Sequence, residues 1–160
     1  KEIMTNYGDI FTAWFDVPMT ITENQSKIIY DTVKELQPDC LINSRLGNGL
    51  YDYVSLGDNE IPATKEEWEK LSQVDEKNIN YQSIDGFKPS KHGLYESACT
   101  LNNSWGFSYR DHNWISPEKL AQNRKHLNSL GINYLVNVGP DHLGRIPGPS
   151  IEILKQASRL

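Results

Sequence analysis

Asp16 closes a short apolar run, Ile10-Phe11-Thr12-Ala13-Trp14-Phe15, and stands two residues after Trp14. Pro18 cannot donate to a sheet ladder, so a strand through this run stops there and releases the carboxylate at its carboxyl end. Three later segments bring comparable groups. One carries Asn43 and Arg45, followed by Asp58, Asn59 and Glu60; another carries Glu96, followed by Trp105; the last carries Asn137. Carboxylates, one guanidinium and several indoles on a single rim make a pocket suited to sugars. Indole faces stack on the apolar C–H patches of a pyranose, while carboxylates and Arg fix its hydroxyls. Two carboxylates across a sugar are also what cleavage of a glycosidic bond requires. Taken alone, Asp16 reads as a turn or capping residue; its company changes the reading.

Other chemistry is poorly supplied. His92, His112, His126 and His142 show no metal-ligand spacing, so no metal and no cofactor is expected. Cys40 and Cys99 are isolated within apolar runs and read as buried thiols. The net charge of −5 and the lack of a basic cluster argue against nucleic acid or an anionic membrane. No apolar stretch approaches the ~18 residues of a membrane span.

The elements that must position these groups alternate between strands and helices. The first strand covers 10–15. A helix follows from the capping box Thr22-Glu23-Asn24-Gln25, with Ile29, Val33 and Leu36 at helical spacing, and Pro38 ends it. The second strand, 40–43, runs out into Arg45 and a long excursion over 46–63 that holds Asp52, Tyr53, Asp58 and Glu60. A charged helix over 64–71 carries Trp68, which reads as a packing anchor. The third strand lies near 93–97 and feeds an aromatic-rich loop reaching Trp114, a hydrophobic staple for the next helix. That helix has Ser116 as N-cap, Pro117 at its first position and Gly131 as its stop. The fourth strand is 132–137, and a last helix starts near Pro149.

Four strands, each followed by a helix or long loop, predict an α/β chain with parallel pairing. The loops on the carboxyl side are long, polar and aromatic, the face that (β/α)8 barrels elaborate. A complete barrel takes about 250 residues, and this chain has 160. It is therefore expected to be part, roughly the second half, of a TIM-like (β/α)8 barrel, with residues 1–160 in one domain. A half barrel exposes two sheet edges and is expected to associate with its complement or with further copies of itself. The chain opens on Lys1 rather than Met, which fits a piece of something longer.

Four blocks then become recognisable together. Trp14-Phe15-Asp16, Asn43-Ser44-Arg45, Tyr95-Glu96-Ser97 with Ser104-Trp105-Gly106-Phe107, and Asn133 through Pro140 resemble, in order, the α-L-fucosidases of glycoside hydrolase family 29. The resemblance covers essentially the whole chain and points to the shorter, single-domain bacterial type. It implies a retaining mechanism through a covalent fucosyl-aspartate, with Asp16 as nucleophile. It implies that Arg45 touches the sugar and the surroundings of Asp16, and that Trp14 flanks the fucose site. The acid/base falls on Asp58 by its spacing from the nucleophile and its place after the Arg strand. Glu60 and Glu96 compete for that role, Glu96 otherwise binding sugar. Trp105 is expected to touch the substrate, Asn59 to orient Asp58, and Asn137 to hold either sugar or strand-end backbone. The expected partners are a fucosylated glycan and the N-terminal half of the same barrel. A cytoplasmic, bacterial location is expected, with secretion left open.

Two rivals stand beside this reading. A non-catalytic carbohydrate-binding fragment needs the aromatics and Arg45 but not two suitably spaced carboxyls. A metal-dependent barrel hydrolase needs clustered histidines.

Overall fold

The computed structural model describes residues 1–67 and 92–160. Its contacts divide into two units. The first holds Lys1–Leu56 and the described residues of 64–95; the second holds Gly57–Ala63 and Glu96–Leu160.

In the first unit a short helix α1 (Glu2–Asn6) leads to strand β1 (Thr12–Ala13), helix α2 (Glu23–Leu36), strand β2 (Leu41–Ile42), a 3-10 turn over Ser44–Leu46, and strand β3 (Val54–Ser55). The expected capping box is present. Thr22 Oγ1 accepts from the Gln25 N–H (3.3 Å), and Gln25 Oε1 accepts from the Thr22 N–H (2.9 Å). That reciprocal pair satisfies two helix-end donors and sets where α2 begins. Ile29 and Val33 of α2 pack with Ala13, Cys40, Ile42 and Leu46 into one apolar cluster. Gln37, just past the helix, pins the chain leading into β1. It accepts from the Ile10 N–H and donates to the carbonyls of Met4 and Gly8, each at 2.9 Å.

β1 and β2 pair in parallel, Thr12 opposite Leu41 and Ala13 opposite Ile42. A parallel bridge joins Asn43 to Tyr53. The strands are shorter than the apolar runs that announced them, because side-chain hydrogen bonds replace the ladder beyond Ala13. The excursion over 46–63 is not loop throughout, since β3 lies inside it and the Val54 N–H reaches the Leu94 carbonyl (3.0 Å). The helix expected over 64–71 is present at 65–67, and its remainder, with Trp68, lies outside the described residues.

The second unit contains β4 (Tyr95–Thr100), α3 (Pro117–Ser129), β5 (Ile132–Asn137) and α4 (Gly148–Ala157), with β4 beside β5 and α3 packed on both β5 and α4. Ser116 Oγ accepts from the Lys119 N–H (3.1 Å) as the N-cap, and Pro117 supplies the first turn. Gly131 then turns the chain with φ +76, a conformation that costs glycine little. Trp114 and Ile115 pack on the cluster of Leu101, Leu120, Ala121, Ile153 and Ala157, which fits the staple reading of this helix entry.

β4 is the main departure from the sequence expectation. It runs to Thr100 rather than ending at Ser97, so Glu96 is its second residue and not its carboxyl end. The segment Ser97-Ala98-Cys99-Thr100 is buried on both faces. A strand covered on both sides lacks the polar alternation that marks one from sequence, and small polar residues disguise it further. The α/β organisation with parallel pairing stands, and no closed barrel forms among the described residues.

Candidate active site

Asn43 places the first group of site residues. Its side chain is fully buried and mimics a strand, accepting from the Phe15 N–H and donating to the Phe15 carbonyl, both at 2.9 Å. One amide thereby continues the β1–β2 pairing past Ala13 and fixes Phe15, with Trp14 and Asp16 on either side of it. Phe15 itself packs into the core cluster. The sequence pointed to Asn43 as a group offered to the rim; its amide is bound to backbone instead.

Arg45 lies below Asp16. Its guanidinium is 1 % exposed, donates from one nitrogen to Asp16 Oδ1 (3.2 Å) and from another to the Leu56 carbonyl (2.7 Å), and its centre sits 4.9 Å from the Trp14 ring. A buried guanidinium must be neutralised and hydrogen-bonded to persist. Asp16, a backbone carbonyl and an indole face supply those partners. The Asp16 side chain remains 42 % exposed, so its carboxylate is anchored on one side and open on the other. It lines a cleft of about 470 Å³ with Arg45, Pro18, Thr20 and the apolar side chains of Ile21 and Ile28.

Val17, directly after Asp16, has φ +54. For a β-branched residue ahead of a proline that conformation is strained, on the order of 1–3 kcal/mol. The neighbouring cleft wall helps hold it, with Pro18 pressed against Gly47, where an added Cβ would meet Pro18 Cβ at 2.8 Å. No spacing in the sequence signals this strain.

Asp58, Asn59, Glu60, Glu96, Trp105 and Asn137 belong to the second unit. The segment Gly57–Ala63 is fastened at several points. The Asn59 N–H donates to the Ala98 carbonyl (2.9 Å), and Asn59 Oδ1 accepts from the Thr100 N–H (2.8 Å) and hydroxyl (3.1 Å). Asn59 adopts φ +59, which asparagine tolerates better than most residues. The Ser97 hydroxyl donates to the Glu60 carbonyl, and the His126 Nε2–H donates to the Pro62 carbonyl (2.7 Å). Asp58 is thus held near the carboxyl end of β4 by the residues that follow it, Asn59, Glu60 and Pro62.

The three candidate acids are placed differently. Glu60 folds back on its own turn, where its carboxylate accepts from the Gly57 N–H (3.0 Å) and fills the space a Gly57 side chain would need. Glu96 is buried near the start of β4. Asp58 is half-buried on the loop. The Cys99 thiol registers these charges. Burial chiefly pushes its pKa up, a bond to Ser97 opposes the shift, and the negative charges of Asp58 and Glu60 add to it. Cys40 and Cys99 are both free and buried.

Asn137 Nδ2 donates to the Trp105 carbonyl (2.7 Å), so of its two expected roles the backbone one is present. Gly139 lies against the backbone of Gly106 and Phe107, where an added Cβ would meet atoms at 2.7–2.9 Å. Together they hold the loop that leaves Trp105 part-exposed. Among the described residues, no three His, Cys, Asp or Glu side chains are grouped to hold a metal ion, and no helix is long and apolar enough to cross a membrane.

The chain is thus built of strand–helix units and presents an open carboxylate ion-paired to a buried guanidinium under an indole. The family model described as alpha-L-fucosidase matches residues 1–159, and the chain belongs to that family. Solved structures agree. The α-L-fucosidase AlfC from Lactobacillus casei, in complex with the product α-L-fucose, is 57% identical with a TM-score of 0.79 over 99% of this chain and 41% of its own. A single-residue AlfC variant in complex with Fucα(1,6)GlcNAc is 54% identical, with a TM-score of 0.76, over 99% of this chain and 41% of its own. Isoenzyme 1 from Paenibacillus thiaminolyticus is 27% identical with a TM-score of 0.73, over 99% of this chain and 36% of that one. The chain therefore spans about two-fifths of the AlfC length. Among curated protein sequences none matches.

Proposed function

We propose that this chain forms the catalytic second half of a (β/α)8 barrel that hydrolyses α-L-fucosides with retention, acting together with the remaining N-terminal half. The observation that carries the reading is Asp16, open to the cleft on one side and anchored by buried Arg45 beneath Trp14 on the other. In the first step an Asp16 oxygen bonds to the anomeric carbon as the bond to the leaving sugar breaks. Asp58 gives its proton to the departing oxygen. In the second step Asp58 takes a proton from water, the water oxygen bonds to the anomeric carbon, and Asp16 is released as a carboxylate with fucose free.

Asp58 is preferred as the acid because Glu60 is committed to its own turn and Glu96 sits near the strand's amino end. Glu96 and Trp105 are assigned to substrate contact, and Asn59 to holding Asp58 in position. The fucosyl complexes of AlfC support fucosylated glycans as the substrate class.

The test uses the full-length protein. Asp16→Ala is expected to reduce hydrolysis of a fucosyl disaccharide to background, with azide restoring turnover and giving β-fucosyl azide, the inverted product. Asp58→Asn is expected to lower kcat/KM on the disaccharide by about 10²–10⁴-fold while sparing kcat/KM on α-L-fucosyl fluoride, whose leaving group needs no proton. The second step, which uses Asp58 as base, slows for both substrates. Wild-type-like turnover by Asp16→Ala would overturn the nucleophile. Equal losses in kcat/KM on both substrates would overturn Asp58 as the acid.

A further inference from the structure

Two stretches of the first unit are fastened to each other rung by rung. Asn43 holds the Phe15 backbone, Arg45 holds Asp16, Gly47 receives Pro18, and Asn48 Nδ2 donates to the Ile21 carbonyl (3.3 Å). Three of these rungs are polar bonds. The Gly47 rung is steric. A Cβ added there would meet Pro18 Cβ at 2.8 Å, well short of the ~3.5–4.0 Å at which carbon atoms rest. Gly47 also has φ +84, so the position disfavours a side chain on two counts.

The stretch that carries Gly47 is braced. The Gly47 N–H donates to the Ser44 carbonyl (3.2 Å), closing the turn that holds Arg45. The fully buried Ser26 hydroxyl donates to the Leu46 carbonyl (3.2 Å) and accepts from Asn48 Nδ2 (2.8 Å), which bolts both neighbours of Gly47 to α2. The facing stretch must therefore conform. Asp16 is tied to Arg45 and Pro18 rests on Gly47, and Val17 alone spans the two ties. Its side chain is 61 % exposed while its backbone sits at φ +54. An exposed valine does not hold itself in that region; the fixed ends impose it.

The consequence falls on Asp16. A half-exposed carboxylate bonded to Arg45 through one oxygen can swing unless the backbone on both sides of it is set. Asn43 sets the side before it. We propose that Gly47 is a positioning residue for the nucleophile, acting through Pro18. Their contact holds Val17 left-handed, and that backbone keeps one Asp16 oxygen on Arg45 while the carboxylate stays open to the cleft. The proposal rests on the reading of Asp16 as nucleophile.

The experiment times covalent labelling of the full-length enzyme by 2-deoxy-2-fluoro-α-L-fucosyl fluoride. An Asp16 oxygen bonds to the anomeric carbon, the C–F bond there breaks, and fluoride leaves without a proton from the acid. The fluorine at C2 slows hydrolysis of the fucosyl-enzyme, so label accumulates. The rate at saturating reagent reads the attack by Asp16, and the half-saturating concentration reads binding. Gly47→Ala is expected to lower the saturating rate by about tenfold or more, since misplacing a reacting group by about 1 Å costs up to ~10²-fold. Half-saturation is expected to change by less than about threefold. A role confined to stability would lower Tm and leave the rate of the folded enzyme alone. Pro18→Gly removes the same contact from the other side without adding an atom, and it decides the question if Gly47→Ala does not fold. Pro18→Ala, which keeps the Cβ, is expected to lose less than Pro18→Gly. Parent-like saturating rates, a loss confined to half-saturation, or equal losses in the two Pro18 variants would overturn the positioning role while leaving Asp16 as nucleophile. If the unsubstituted enzyme takes no label on Asp16, the nucleophile reading falls and the positioning role falls with it.

Discussion

Asn43 bonds to both polar groups of the Phe15 backbone, and through that one peptide it sets the spacing of Trp14 and Asp16 over Arg45. Asn43→Ala leaves a donor and an acceptor without their partner, at about 1–3 kcal/mol for each fully buried group. Phe15 is only part-buried, so the lower end applies. The expected outcome is a modest fall in Tm together with a larger fall in kcat, because Asp16 loses its mooring while remaining chemically intact. Asn43→Asp separates the two effects, since a carboxylate still accepts from the Phe15 N–H but cannot donate to its carbonyl. Thermal melts and steady-state kinetics on the full-length protein check this. Arg45 was legible as a charged residue after a strand, but its near-complete burial was not. Burial depends on Leu56 and Trp14 closing around it.

At the scale of elements, the first unit is tied together by a buried carboxylate that does no chemistry in the proposed reaction. Asp52 accepts from the Tyr30 hydroxyl (2.9 Å) and the Ile42 N–H (2.9 Å), and pairs with Lys34 (2.7 Å), which also donates to the Cys40 carbonyl (2.7 Å). These bonds join α2 to β2 and to the loop before β3. Burial, then the bond to Asp52 and its charge, push Tyr30 from 10.0 to about 12. A folded-state pKa above the unfolded one means that the fold favours the protonated phenol. That stabilisation is complete below pH 10 and is lost as pH rises toward about 12. Tyr30→Phe is therefore expected to cost stability at neutral pH, with the difference from the parent shrinking above pH 10. Denaturant melts across that range test it, and absorbance at 295 nm follows the phenolate directly. The sequence assigned Asp52 to loop structure, and the network shows what that structure is.

The whole molecule raises a question of completeness. The chain matches its family over residues 1–159 and spans about 41% of AlfC. If the catalytic pocket takes groups from the N-terminal half of the barrel, this chain alone should hydrolyse no fucoside. Mixing it with the separately produced N-terminal half should restore turnover, and Asp16→Ala in this half should abolish the restored activity. Full activity from the chain alone, measured as fucose release, would remove the need for a complement.

What the sequence determined by itself is local. The capping box at Thr22, the Ser116-Pro117 entry and the Gly131 stop each depend on residues within one turn of one another, and each appears where expected. The order of the four blocks was enough to indicate the family, whose model matches residues 1–159. Tertiary structure decided what lies beyond one turn. It extended β4 to Thr100 and so moved Glu96 away from the strand end, because burial on both faces erases the periodicity that marks a strand. It turned Asn43 and Asn137 toward backbone 28 and 32 residues away. An asparagine offers the same donor and acceptor wherever it stands, and only packing decides whether they meet backbone, a neighbouring side chain or a ligand.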